Sequence, residues 1–276
     1  SSQNEENGFF YVIDRTNGEF ISAEPYVYTN WAKSIDKETG RPIESSFSRY
    51  PNMNSEISPS ALGGHNWQPM AFNPNTGLVY IPAMQAIQPF STDLNFTAVS
   101  GSHWNLGQDG PVGKGGLDGV PRALAISIVK RLMRGKLIAW DPLAGEPRWE
   151  IEHNNIWNGG LLSTQSGLLF QGLGDRRLVA YDAADGELLW STPTGTGVVA
   201  PPVTYSIDGE QYVTVLAGWG GAFALAYGRA AKAAGVRADG KVLTFKLGGT
   251  TPLPPKPDAP EIPTPPESTA DAATIK

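Results

Sequence analysis

"KLIAWDPLAGEPRWEIEH", residues 136–153, returns as "RLVAYDAADGELLWSTPT", residues 177–194. Asp141 aligns with Asp182, Gly145 with Gly186, Glu146 with Glu187 and Trp149 with Trp190, a step of 41 residues from 141 to 182. A period of ~40–45 residues built from short strands belongs to propeller blades. The pattern has a mechanical sense. An apolar strand ends at an Asp whose side chain can bond backbone N–H groups two residues on. A Gly then takes the positive φ that closes the turn. The following strand carries a Trp that can lie flat on a neighbouring blade. A chance pair of β-hairpins would not match at so many positions with one offset.

Weaker copies lie upstream. "YVIDRTNGEFIS" keeps Asp14 and Gly18 at the same spacing, with Ser22 in the place of Trp. "MAFNPNTGLVYI" keeps Asn73 and Gly77, and Asn forms the same turn as Asp. The steps from 14 to 73 and from 73 to 141 exceed 41 residues, so these blades are expected to carry insertions. "ADGKVLTFKLG", residues 238–248, reads as one more strand. The pieces amount to about four blades, and propellers close with ~4–8. Strands are predicted at 9–13, 78–82, 136–140, 168–171, 178–181, 203–205 and 212–217. Asp208-Gly209 between the last two is a strong hairpin signal. Residues 84–121 are polar and Gly-rich and read as a long excursion. An Ala-rich stretch at 225–236 suits a short helix. "TPLPPKPDAPEIPTPP", residues 251–266, is a Pro-rich semi-rigid linker. The organisation expected is therefore all-β: β-propeller blades over 1–250, forming either a small propeller or part of a larger one, and a Pro-rich linker and tail over 251–276.

Composition supports this class. Gly 32 and Pro 23 make about one residue in five, and 276 residues suffice for one large all-β domain. No run of ~18 apolar residues is present, so no membrane span is expected. Residues 1–12 lack a basic start and an apolar core, so no secretory leader is read there. A net charge of −6 argues against nucleic acid as a partner. The cluster Lys130, Arg131, Arg134 and Lys136 reads as a solvated face. With Cys 0, disulfides, thiolate metal sites and covalent haem attachment through C-x-x-C-H are excluded from this chain. Its three histidines, His65, His103 and His153, are scattered and show no metal-ligand spacing. Gly-rich "GPVGKGG", residues 110–116, lacks the strand–loop–helix setting of a phosphate cradle.

Four longer segments carry a family resemblance: "ENGFFYVIDRTNGEFISAEPY", "GGHNWQPMAFNPNTGLVYIPA", "GKLIAWDPLAGEPRWEIEHNNIWNGGLLSTQSGLLFQG" and "GVVAPPVTYSIDGEQYVTVLAGWGG". Together they resemble the C-terminal half of pyrroloquinoline quinone (PQQ)-dependent alcohol dehydrogenases of the quinohaemoprotein type. The resemblance runs from about Asn7 to Pro255. It implies an eight-bladed β-propeller of four-stranded antiparallel blades, of which residues 1–250 are a partial β-propeller, with PQQ near its axis on a calcium ion. It also implies periplasmic oxidation of a small alcohol, with electrons passed to cytochrome c. Haem c is expected only in a C-terminal domain beyond the Pro-rich linker.

The same resemblance nominates cofactor-binding residues. Asn66 and Trp67, in "HNWQPM", match an Asn-Trp pair beside the quinone, where an amide could donate to an oxygen. Trp157, in "IWNGG", matches a Trp at the cofactor edge; as a bare residue it reads equally well as a blade-docking Trp. Trp219 and Gly220, in "AGWGG", match a segment whose backbone approaches PQQ, although paired glycines also serve at strand bends. Where the family usually has a basic residue before Asn-Gly, this chain has Glu6. A carboxylate cannot stabilise an anionic reduced quinone as a cation does. The calcium ligands and the general base lie upstream of Asn7 in the family, so no catalytic or metal-ligating residue is nominated. Asp14, Asp141 and Asp182 read as turn residues.

Three functions are compatible with this sequence. One is part of a PQQ alcohol dehydrogenase, inactive alone. The second is a non-catalytic half-propeller that binds or scaffolds. The third is a propeller of the outer-membrane assembly type, which "HNWQPM" and "IWNGG" disfavour. A half-propeller leaves apolar blade faces uncovered, and such patches mark interfaces. The expected partner is the N-terminal half of the same propeller, or else a second copy.

Overall fold

The computed structural model describes residues 5–50, 55–100, 105, 107, 121, 133–220 and 240–255. Two four-stranded antiparallel sheets form its centre. The first contains β6 (Ala71–Asn73), β7 (Leu78–Ala86), β9 (Met133–Asp141) and β10 (Glu146–His153), in the order β10-β9-β7-β6. The second contains β11 (Leu161–Ser163), β12 (Leu168–Leu173), β13 (Arg177–Asp182) and β14 (Leu188–Pro193), in sequence order. A three-stranded sheet follows: β15 (Val203–Ile207), β16 (Glu210–Ala217) and β17 (Lys241–Lys246). On the other side lie the pair β1 (Phe9–Ile13) and β2 (Phe20–Pro25), the pair β3 (Ala32–Ile35) and β4 (Pro42–Glu44), and the pair β5 (Ser55–Ile57) and β8 (Gln88–Phe90). The chain is built of propeller blades. Among the described residues no helix is long and apolar enough to cross a membrane.

Blades stack face to face, and the core lies between them. Leu78, Tyr80, Leu137 and Ala139 of one four-stranded sheet meet Leu169, Val179 and Tyr181 of the next. Phe10, Tyr26 and Val27 cover the opposite face of the first through Ile81, Ile138 and Trp140. Leu178 meets Val215, Ala217 and Leu243 of the three-stranded sheet. Strands buried on both faces read as continuous apolar runs, which is why "KLIAWD" and "RLVAYD" lack polar alternation.

The 41-residue repeat is a repeat of structure. Asp141 and Asp182 each end the third strand of a blade, and Trp149 and Trp190 each stand on the fourth. Trp149 lies on the turn of the next blade, where a Cβ on Gly186 would come within 2.9 Å of its ring. Trp190 meets Phe245 of the three-stranded sheet edge-on at 5.6 Å. Both hairpins share a feature no single residue announces. Pairing skips one residue between Pro147 and Trp149 and one between Leu188 and Trp190. The same skip falls between Phe20 and Ser22 in β2. A bulge at this position turns the Trp, or Ser22, to face the next blade.

The turns close as the Asp–Gly spacing requires. Gly18, Gly145 and Gly186 donate to the carbonyls of Asp14, Asp141 and Asp182 at 2.8, 2.8 and 2.9 Å, each with φ between 71° and 79°. The Asp carboxylates accept from Thr16, Leu143 and Ala184 N–H groups. Hydrogen bonds to the charged form hold the Asp14 and Asp141 carboxyls below the ordinary carboxylate range. Asp36 and Gly40 form one more such turn between β3 and β4, which the sequence reading passed over. The Asn73–Gly77 turn has the expected bonds but not the expected place. It joins the first two strands of the same sheet whose last two strands Asp141 joins, so the step from 73 to 141 is internal to one blade.

One further sequence reading is corrected. The excursion placed at 84–121 begins later, because β7 continues to Ala86 and β8 pairs with β5, with Met84, Ala86 and Gln88 buried. Polar Gln88 misled: its side chain is inside, bonded to the N–H of Ala61. The helix read at 225–236, "GPVGKGG", His103, Lys130, Arg131 and most of the Pro-rich tail lie outside the described residues. The Asp208-Gly209 hairpin is as read, with φ of 51° and 81° at its two central residues and Ile207 opposite Glu210.

Candidate cofactor cleft

The five nominated residues come from three loops and meet at one end of the blade stack. Asn66 and Trp67 lie on the loop between β5 and β6. Its backbone is pinned from two sides, by Met84 N–H to the Gly64 carbonyl at 2.7 Å and by Gly64 N–H to the Glu6 carbonyl at 3.1 Å. A Cβ at Gly64 would stand 2.7 Å from the Val27 methyl, so this contact requires Gly. Glu6 is thereby placed two residues from the Asn-Trp pair. The Asn66 amide donates to the Leu62 carbonyl at 3.1 Å, and its oxygen accepts from Trp67 N–H at 2.9 Å.

Trp67 is 49% exposed and packs edge-on against Trp157, with ring centroids 6.4 Å apart. Trp157 itself is 2% exposed, enclosed with Met84, Ala86, Ile156 and Val199. Trp157 thus backs the wall, and Trp67 presents it. Trp219 packs against the same cluster and rests on Gly197, where a Cβ would fall 2.4 Å from the indole. Gly218 N–H to the Gly197 carbonyl, at 2.8 Å, fixes this seat. A Cβ on Gly220 would meet no described atom within 4 Å, so its lack of a side chain answers no packing need seen here.

Trp67, Trp219 and Gly220 line one open cleft of about 530 Å³, together with Val199, Lys241 and Val242. Its walls are chiefly apolar; Lys241 contributes to them, with its Nζ beside Gly195, where a Cβ would come within 2.7 Å of it. Asn66 is not among the lining residues; it precedes Trp67 and accepts from its N–H. The paired glycines of "IWNGG" have a packing duty instead: Cβ atoms at Gly159 and Gly160 would strike the Ala200 carbonyl at 2.9 Å and the Pro69 ring at 2.4 Å.

Sequence reasoning missed one residue of the cleft, Lys241, and one buried contact outside it, His153 with Gln171. Lys241 opens β17, and nothing in "DGKVLTF" marks it as more than a strand start. His153 bonds Gln171, Nε2 to Oε1 at 3.0 Å, across the two four-stranded sheets. Burial pushes the His153 pKa below the ordinary imidazole range, so the ring is neutral near pH 7. His65 is buried at 2% exposure, in keeping with a packing residue. Among the described residues no three of His, Asp and Glu gather into a metal-binding group.

Comparison with known proteins bears on this arrangement. The family described as "PQQ: Glucose/ethanol/alcohol dehydrogenase, beta-propeller domain" matches residues 134–213. The quinohemoprotein alcohol dehydrogenase ADH-IIG of Pseudomonas putida is 44% identical over 276 residues, covering 98% of this chain and 38% of its own length. The quinohemoprotein alcohol dehydrogenase of Comamonas testosteroni is 45% identical over 251 residues, 90% of this chain and 34% of its own. The solved structure of the Pseudomonas putida enzyme superposes with a TM-score of 0.78 at 42% identity, over 97% of this chain and 39% of that one. A europium-containing methanol dehydrogenase superposes with a TM-score of 0.69 at 31% identity. The chain therefore spans little more than a third of its curated relatives. Blade repeat, bulged fourth strands and these matches together show blades of the PQQ-dehydrogenase propeller type, similar over nearly the whole chain to a part of the quinohemoprotein alcohol dehydrogenases.

Proposed function

We propose that this chain forms one flank of the PQQ pocket of an enzyme that oxidises primary or secondary alcohols to aldehydes or ketones and passes the electrons to cytochrome c. The observation that carries the proposal is the convergence of Trp67, Trp219 and Gly220 on one cleft, with Asn66 next to Trp67 in the chain. PQQ is flat and anionic. Indole faces and a glycine that leaves room for close approach suit one side of such a molecule, and Lys241 is the cation among the lining residues. When bound, PQQ is the two-electron acceptor of the reaction. The chain's own residues bind and orient. Trp67 and Trp219 give planar apolar walls that exclude water. An amide has two N–H donors; one of Asn66's is held by Leu62, and the other serves a ligand oxygen. Glu6, close by, supplies no positive charge.

The base, the calcium ligands and the haem belong to other parts of the enzyme in this proposal, and its compartment is the periplasm. The complementary surface is the N-terminal part of the same propeller, or else a second copy of this chain. One relative, the 1-butanol dehydrogenase (cytochrome c) of Thauera butanivorans, supports the acceptor assigned here; it is 43% identical over 257 residues and this chain covers 34% of it. Titration of the chain with PQQ should quench tryptophan emission saturably, and Trp67→Ala and Trp219→Ala should each weaken binding by about tenfold, the effect of losing one stacking contact. Unsaturable quenching that both variants share would favour the non-catalytic scaffold. Purified alone, with PQQ and calcium, the chain should show no dye-linked alcohol oxidation; measurable turnover would return the base and metal ligands to this chain.

A further inference from the structure

Gln171 is fully buried on β12, and both ends of its amide are engaged. Its Nε2 donates to the Gly159 carbonyl at 3.1 Å. Its Oε1 lies 3.0 Å from His153 Nε2 on β10 of the neighbouring blade. The first contact dictates the second. With the NH2 group turned toward Gly159, the amide oxygen must face the imidazole, so His153 carries its proton on Nε2. Gln171 thus joins two blades and one loop through a single planar group.

The loop is the one that carries Trp157. Its other restraints are steric or close by. Asn158 Nδ2 donates to the Asn155 carbonyl at 2.8 Å, its Oδ1 accepts from Gly174 N–H at 3.1 Å, and Gly159 N–H bonds the Gly172 carbonyl at 2.8 Å. Gly135 on β9 leaves the space that the Asn155 carbonyl fills, since a Cβ there would lie 2.2 Å away. The His153–Gln171–Gly159 chain reaches from the fourth strand of the preceding blade into this loop by side-chain hydrogen bonds. Buried polar groups joined in this way fix one arrangement, because any alternative leaves a polar atom unsatisfied.

We propose that Gln171, held by His153, is a positioning residue that sets residues 155–160 and, through Trp157, the angle at which Trp67 faces the cleft. The purpose given to that wall rests on the PQQ proposal; the positioning itself does not. His153 acts here as a neutral hydrogen-bond donor. The charged groups that face it are Asp175 and Arg177, which pull in opposite directions and are paired with each other at 2.6 Å. Glu152, its chain neighbour, is held by Arg134 at 2.7 Å.

Hydrogen exchange of the 276-residue chain tests the inference. Gln171→Leu keeps the volume and removes both bonds. Amides at 155–160 should exchange at least about tenfold faster, the change expected for one lost buried hydrogen bond, while β9 and β13 stay protected. His153→Phe should loosen the same segment, and His153→Gln, which restores a donor, should rescue it. Iodide quenching of tryptophan emission should rise in the first two variants and not in the third. If Gln171→Leu leaves 155–160 as protected as in the parent chain, the proposal is overturned. If Gln171→Leu loosens every strand together, the histidine pair decides: Phe and Gln behaving alike overturns it, and rescue by Gln alone upholds it. A parent chain that binds no PQQ yet shows this pattern removes the cofactor reading and leaves the positioning role standing.

Discussion

Leu137, Ala139, Leu169 and Val179 meet between the two four-stranded sheets with none of their surface exposed, whereas Leu216 and Val242, on the outer face of the three-stranded sheet, are 59% and 69% exposed. The same alternation produces both faces. On β16, Val213, Val215 and Ala217 turn toward the preceding blade, and Tyr212, Thr214 and Leu216 turn away. The buried face is aliphatic. The outer face bonds its hydroxyls across strands, Tyr205 to Thr214 at 3.0 Å and Thr214 to Thr244 at 2.9 Å, and stacks Tyr205 on Tyr212. A blade is a two-sided object, and the sides differ in what they demand. The inner face is satisfied only by another blade. The outer one satisfies its own polar groups and still presents apolar side chains to whatever covers it.

The largest expected effect would break that contrast. Leu137→Ala or Leu169→Ala should cost about 2–5 kcal/mol, the transfer loss plus a cavity, whereas Leu216→Ala should stay within about 0.5 kcal/mol. Urea denaturation measures both, and equal losses would mean that the outer face is as closed as the inner one. A smaller effect concerns association. Leu216→Asp with Val242→Asp should weaken pairing, with a second copy or with the complementary part of the propeller, by more than about tenfold, or ~1.4 kcal/mol, at unchanged urea midpoint. Sedimentation reads the outcome; a parent chain that is a stable monomer and binds no apolar dye would remove the open-face argument altogether.

The smallest effect probes the closed interface at its buried histidine contact between β10 and β12. Burial lowers the His153 pKa in the folded chain below its ordinary 6.5. The fold therefore favours the neutral ring. That contribution is complete above pH 6.5 and is lost as pH falls through the lowered value, when the buried ring must take up a proton. His153→Gln should flatten stability over that window. Acid loss at still lower pH, where the turn carboxylates Asp14 and Asp141 protonate below 3.8, should persist in the variant.

Much of the fold was legible because it repeats. Asp141–Trp149 and Asp182–Trp190 announced blades, and the Asp208-Gly209 hairpin announced its own geometry, since short-range turn chemistry is written in adjacent residues. Misreadings arose where one motif serves two places. Asn73–Gly77 has the bonds of the Asp turns but joins a different pair of strands, and only tertiary pairing distinguishes them. Asp36–Gly40 was overlooked because no Trp follows it, although its spacing is the same. The cleft was half legible. Trp67, Trp219 and Gly220 do share it, but that Trp157 backs the wall follows from packing, not spacing. The His153–Gln171 contact joins residues 18 positions apart on different blades, with no local signal of any kind.

One detail of the last hairpin has practical weight. Asp208 and Gly209 turn the chain between β15 and β16 with both φ values positive, and a Cβ on Gly209 would meet nothing within 4 Å. The bonds that close the hairpin lie behind the tip, in the ladder that begins at Ile207 and Glu210. The tip is thus a natural splice point. A fluorophore-bearing insert or a new pair of termini placed there would sit in solvent, away from every core cluster, on the blade whose outer face carries the exposed Leu216 and Val242. Capture of that partner would then be read from a reporter a few residues from the surface it covers.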